Sequence, residues 1–65
     1  MRLIVNGEAH DLDATTLTDV LDLLDYEGGW LATAVNGELV HRQDRTGHMV
    51  REGDRIEVLT PLQGG

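Results

Sequence analysis

Residues able to do chemistry are scarce in this 65-residue chain. It has no Cys, hence no thiol nucleophile, no disulfide framework and no Cys-based zinc site. His10, His41 and His48 are its only histidines. No two of them share the short spacing of common zinc motifs, so they read as surface residues and no metal site is expected. What remains is the chain end, Gly64-Gly65. At average glycine usage two consecutive terminal glycines arise by chance about once in 200 chains. A terminal glycine carbonyl has no β-carbon beside it, so an attacking group approaches unhindered. A glycine pair also bends through φ values closed to other residues and can thread a narrow channel. The carboxylate of Gly65 is therefore the candidate reactive group, with chance or processing as the alternative.

The rest of the composition narrows the possibilities. A chain this short is one domain with a thin core, burying only about 60% of the surface its unfolded form exposes. It leaves little room for an enclosed substrate pocket, which argues against a stand-alone enzyme. Twelve acidic residues against five basic ones, all of them Arg, give a formal net charge of -7. Such a surface repels phosphate backbones and anionic lipid, so neither nucleic acid nor membrane is an expected partner. It suits docking on a basic protein surface, although acidity also serves plain solubility. No apolar run approaches the roughly 20 residues that span a bilayer. The N-terminus enters a strand-like run at once, without a signal-peptide core, and a cytoplasmic protein is expected.

The elements that must position the chain end can be read in order. Leu3-Ile4-Val5 runs into Asn6-Gly7, the strongest short-range hairpin signal, and a second strand returns over Glu8–Leu12. Leu17, Val20, Leu21 and Leu24 share one helix face. Thr16 is the predicted N-cap, with Asp19 as the acidic half of a capping box. Asp19 and Asp22 are placed toward the favourable N-terminal end of the macrodipole. Gly28-Gly29 is expected to supply the left-handed residue that ends the helix. The acidic set Asp19, Asp22, Asp25 and Glu27 reads as a solvated helix face. Leu31–Val35 is a third strand closed by Asn36-Gly37, and Glu38–Val40 a short fourth. Residues 41–48 form a polar loop, and residues 51–54 a turn. Arg55–Leu59 alternates into a final strand with Ile56 and Val58 inward. The phrase Val-Asn-Gly-Glu occurs at Val5 and again at Val35, but the following segments differ, so it marks two hairpins sharing one turn chemistry. One helix covers one face of a mixed four- or five-stranded sheet, an α+β architecture, and leaves the other face partly open. Residues 1–60 form the domain and 61–65 a flexible tail, where Pro61 donates no ladder bond and the glycines have nothing to pack.

In this order and spacing the chain resembles the bacterial sulfur carriers of thiamine biosynthesis, the ThiS family. The resemblance covers the whole chain. It rests on Leu3-Ile4-Val5-Asn6-Gly7-Glu8, on Thr16-Leu17, on Ala34-Val35-Asn36-Gly37-Glu38-Leu39-Val40 with Arg42 following, on Gly53-Asp54-Arg55-Ile56-Glu57-Val58, and on Leu62-Gln63-Gly64-Gly65. It implies a β-grasp (ubiquitin-like) fold. It also implies a protein co-substrate rather than an enzyme. A carboxylate is a poor electrophile, and in this family a ubiquitin-activating-type adenylating enzyme, using ATP and magnesium, transfers AMP onto the terminal carboxylate. Sulfur from a donor such as a cysteine desulfurase or a rhodanese-like protein then displaces AMP to give a thiocarboxylate at Gly65. Thiazole synthase receives that sulfur. Gly64, Gln63 and Leu62 are the implied tail-recognition residues, and no cofactor is bound by the carrier itself. The chain departs from the family pattern at Pro61, and in the stretch 43–47, which lacks the aromatic residue common after the Arg.

Two alternatives stand beside this reading. The small subunit of molybdopterin synthase shares the fold and the Gly-Gly end, and a Pro near the tail resembles it. A non-conjugated β-grasp interaction module would have the fold without the chemistry. On the surface, Ile4 and Leu59 alternate with the inward residues of their strands and are assigned to a docking patch on the open face. Trp30 is read first as a lid over the core at the helix end, and second as a partner anchor.

Overall fold

A computed structural model describes residues 1–26 and 30–60. The strands are β1 (Arg2–Val5), β2 (Glu8–Asp11), β3 (Ala32–Val35), β4 (Glu38–Val40) and β5 (Arg55–Leu59), with one helix, α1 (Leu17–Leu23), after the first hairpin. They form one five-stranded sheet in the order β2-β1-β5-β3-β4. The β1–β5 pair is parallel; every other pair is antiparallel. The last strand in sequence is thus the central strand of the sheet. The second and third strands are each one residue shorter than their sequence patterns predict, because Leu12 and Leu31 lie outside the ladder.

The two Asn-Gly pairs adopt the conformation their chemistry invites. Asn6 and Gly7 have φ of 50° and 83°, and Asn36 and Gly37 have φ of 52° and 85°, the double positive-φ signature of tight hairpin turns. Strand alternation then sorts the side chains. Leu3, Val5, Val35, Ile56 and Val58 face inward with Leu17, Val20 and Leu21 of α1, and all eight are buried. Leu24 is partly buried against the same cluster, which completes the predicted apolar helix face.

The helix begins as predicted and ends differently. Asp19 N–H donates to Thr16 Oγ1 at 3.2 Å, and Thr16 N–H donates to Asp19 Oδ2 at 3.0 Å, a reciprocal capping box. Thr15 N–H also donates to Asp19 Oδ2 at 3.0 Å. These backbone bonds, first from Thr15 and then from Thr16, hold the Asp19 carboxyl below its ordinary pKa. The C-terminus is closed by Asp25 at φ 61°. Tyr26 N–H donates to the Leu21 carbonyl at 2.9 Å and Asp25 N–H to that of Asp22 at 3.2 Å, the paired bonds of a Schellman motif. The terminator is therefore Asp25 rather than Gly28-Gly29, and those glycines lie outside the described residues. A helix of 7 residues also puts Asp22 in its last turn, so only Asp19 gains from the macrodipole.

Residues 41–48 are more ordered than a polar loop. Arg42–Asp44 form a 3₁₀ turn, and the next residue, Arg45, is only 6% exposed. Its Nη2 donates to the Leu31 carbonyl at 2.7 Å and its Nε to Thr33 Oγ1 at 2.9 Å. Thr33 Oγ1 in turn donates to the Val40 carbonyl at 2.8 Å. A buried guanidinium thus ties the loop to β3 and, through Thr33, to the end of β4.

Candidate functional site: the root of the tail and the open sheet face

Gly65, Gly64, Gln63 and Leu62 lie outside the described residues, as does Pro61. The structure describes the strand that carries them. β5 enters the sheet at Arg55 and runs to Leu59, with β1 on one side and β3 on the other. Both hairpin asparagines grip it. Beyond the end of β1, Val58 N–H donates to Asn6 Oδ1 at 2.9 Å, and Asn6 Nδ2 donates to the Val58 carbonyl at 3.1 Å. The side-chain amide thereby continues the parallel ladder after the backbone of β1 has turned away. The same Nδ2 lies 3.3 Å from Tyr26 Oη, which links the clamp to the helix exit. At the start of β5, Arg55 N–H donates to Asn36 Oδ1 at 3.0 Å, and Asn36 Nδ2 donates to Asp54 Oδ1 at 3.0 Å. The repeated Val-Asn-Gly-Glu phrase therefore does two jobs in each copy: it turns a hairpin, and its Asn holds the strand that leads to the tail. Sequence reading found the first job. The second depends on register, which places both turns beside β5.

The sheet face opposite α1 is open. On it, Leu59 pairs in register with Ala32, and Ala34 with both Leu39 and Glu57. Leu59 is 69% exposed and Leu39 is 64% exposed. Between them the small side chains of Ala32 and Ala34 leave an apolar depression of about 110 Å³, with Glu57 at its edge. Ile4 also lies on this face but is half-buried. It belongs to a separate depression of about 480 Å³ lined by Gly7, Asn36, Gly37 and Arg55, and Glu57 borders both. Leu59 and Ile4 thus share a face without sharing a hollow. Leu39, Ala32 and Ala34 are the apolar residues of this face that the sequence reading did not single out, although β3 alternates as clearly as β5.

Trp30 does not lie over the core. It is 84% exposed, and the lid role falls to Tyr26, which packs partly buried against the cluster. The early chain reversal at Asp25 brings Tyr26, not Trp30, back onto the helix end. Among the described residues no group of three or more His, Asp or Glu side chains could hold a metal ion. His10 Nε2 lies 3.9 Å from Glu8 Oε1, the one histidine contact with an acid there. No helix among the described residues is long and apolar enough to cross a membrane.

The fold agrees with that of known relatives. The ThiS family model matches residues 3–65. The chain is 30% identical over 66 residues to the sulfur carrier protein ThiS of Escherichia coli, covering 100% of both. It is 33% identical over 61 residues to the sulfur carrier protein ThiS of Thermus thermophilus, covering 94% of this chain and 95% of that one. The crystal structure of the thiamine biosynthesis protein ThiS from Geobacter metallireducens superposes with a TM-score of 0.83 at 29% identity, over 100% of both chains. A match that spans nearly the whole chain, in sequence and in fold, places it in the ThiS family.

Proposed function

We propose that this chain carries sulfur for thiazole formation in thiamine biosynthesis, as a thiocarboxylate on Gly65. The observation that carries the reading is the extent of the family match, which runs through Leu62-Gln63-Gly64-Gly65 to the final residue. The chain is acted upon rather than catalytic. A ubiquitin-activating-type enzyme, with its own ATP and magnesium, adenylates the terminal carboxylate. The acyl-adenylate supplies a leaving group that carboxylate oxygen lacks. Sulfide attacks the acyl carbon, the carbon–oxygen bond to AMP breaks, and AMP departs to leave the thiocarboxylate. Where the donor is a persulfide, its terminal sulfur forms an acyl disulfide in the same displacement. A second thiol then cleaves the sulfur–sulfur bond, releasing the thiocarboxylate and a disulfide. The terminal glycine leaves that carbon unhindered, and the absence of Cys leaves the chain no thiol to capture its own activated end. Thiazole synthase then takes the sulfur, and Leu62, Gln63 and Gly64 are the residues its channel and that of the activating enzyme read.

The domain presents this tail from a strand held on both sides, and the open face beside it is the docking patch. Leu59 is its exposed centre and Ile4 its flank. Adding one residue after Gly65 abolishes rescue of a thiamine auxotroph lacking its own carrier, while the unextended chain rescues growth. Rescue by the extended chain refutes the carrier reading. Rescue of molybdenum-enzyme activity in place of thiamine synthesis would assign the chain to the molybdopterin pathway. Charged substitutions at Ile4 and Leu59 weaken binding to the activating enzyme, and unchanged binding would remove the patch from the account.

A further inference from the structure

Trp30 is 84% exposed, while Leu31 beside it is buried. The side chain with the largest apolar area in the molecule is thus left in water. Its base is nonetheless well anchored. Leu31 packs in the core, and its carbonyl accepts the 2.7 Å bond from buried Arg45. Ala32, one residue further, is paired in register with Leu59. An exposed indole next to an anchored residue is the kind of side chain that dominates binding energy at interfaces.

Its place in the fold identifies what it meets. Exposure alternates from Trp30 into β3, with Leu31 and Thr33 buried and Ala32 on the open face. Two residues before Ala32, the partner of Leu59, it stands at the end of the sheet where β5 leaves and where the apolar stripe of Ala32, Ala34, Leu39 and Leu59 ends. Gly65 is six residues beyond Leu59, a reach of at most roughly 20 Å for an extended chain. An enzyme that grips the tail near its root at Leu59 lies against this end of the molecule. One that brings the carboxylate to ATP must also be positively charged around its site, which suits a carrier of net charge -7 with Glu57 beside the stripe.

We infer that Trp30 is the principal anchor for the adenylating enzyme, seating its indole in an apolar slot with a basic rim. The inference rests on the carrier reading above and names the residue that gives that docking most of its strength. Trp30 is the chain's single Trp, so a fluorine-labelled indole gives one resonance. On titration with the purified adenylating enzyme, ATP and magnesium, that resonance shifts and becomes inaccessible to a soluble quencher. Trp30→Ala weakens binding about 30-fold or more, the range of an interface hot spot. Trp30→Phe retains most of the affinity, and the melting temperature of both variants stays that of the parent. Binding of Trp30→Ala within about threefold of the parent, with Leu59→Asp strongly impaired, overturns the Trp30 assignment and leaves the docking face standing. Unchanged binding for both variants overturns both. An effect confined to thiazole synthase overturns the choice of partner.

Discussion

Asn6→Gly isolates the clamp on the tail-bearing strand, because glycine keeps the positive φ of the turn while deleting the amide. Val58 sits opposite Thr33 with its N–H and carbonyl turned toward β1, whose backbone has already left the sheet. Asn6 satisfies both groups at a partly buried site. Removing two such bonds costs about 1–3 kcal/mol, at roughly 0.5–1.5 kcal/mol net for each. A 65-residue domain has a total stability of only roughly 3–10 kcal/mol. Asn36→Gly is the matched comparison, because its bonds to Arg55 and Asp54 lie at the exposed surface. Water replaces them, and the cost stays below about 1 kcal/mol. Urea unfolding measures both variants, and hydrogen exchange at the Val58 amide reads the local effect. Faster exchange at Val58 is expected in Asn6→Gly alone. Equal destabilisation by the two variants, or unaltered exchange at Val58, would refute the clamp.

Two further perturbations test separate parts of the scaffold. Arg45→Ala costs about 2–4 kcal/mol, since it withdraws charge-assisted bonds from the Leu31 carbonyl and Thr33 in a buried setting. Arg45→Lys does not restore the loss, because one ammonium cannot reproduce the guanidinium fork; parent-like urea midpoints for the Lys variant would contradict this. The Asp19 carboxyl titrates below its ordinary value because it accepts N–H bonds from Thr15 and Thr16. Its folded pKa lies under its unfolded one, so its contribution to stability is complete above the unfolded value, near pH 4. The contribution disappears as pH falls through the lowered folded value. Carbon NMR titration of Asp19 should show the depressed midpoint, and Asp19→Asn should flatten stability over that acid range. An ordinary midpoint would mean that the capping box does not form.

Most of the fold was legible because its punctuation is local. Asn6-Gly7 and Asn36-Gly37 fix their turns within two residues, Thr16 and Asp19 cap the helix across three, and period-two alternation orients β5. Long-range features were not legible. A lone Arg in a polar stretch reads as solvated, and only the closing of the loop against Leu31 and Thr33 shows that Arg45 is buried. Likewise Trp30 reads as core by its type, yet reversal at Asp25 puts Tyr26 over the helix end first. Asp tolerates the left-handed region less readily than Gly, so a Gly pair three residues on outweighed it in the sequence pattern. For the site, the chain end and two positions on the open face were legible from composition and alternation. The stripe of Ala32, Ala34 and Leu39 beside Leu59 depends on cross-strand register, which no single segment encodes.

The account stands on what happens to the last carboxylate. The parent chain, incubated with an adenylating enzyme, ATP, magnesium, a persulfide donor and a thiol reductant, is read by intact mass spectrometry with fragmentation to locate any change. The predicted product has one oxygen of Gly65 replaced by sulfur, and it fails to form when ATP is withheld or a residue is added after Gly65. An unchanged mass with the adenylating enzyme from the same cell, under conditions where that enzyme modifies a known ThiS protein, would contradict the assignment of this chain as a sulfur carrier.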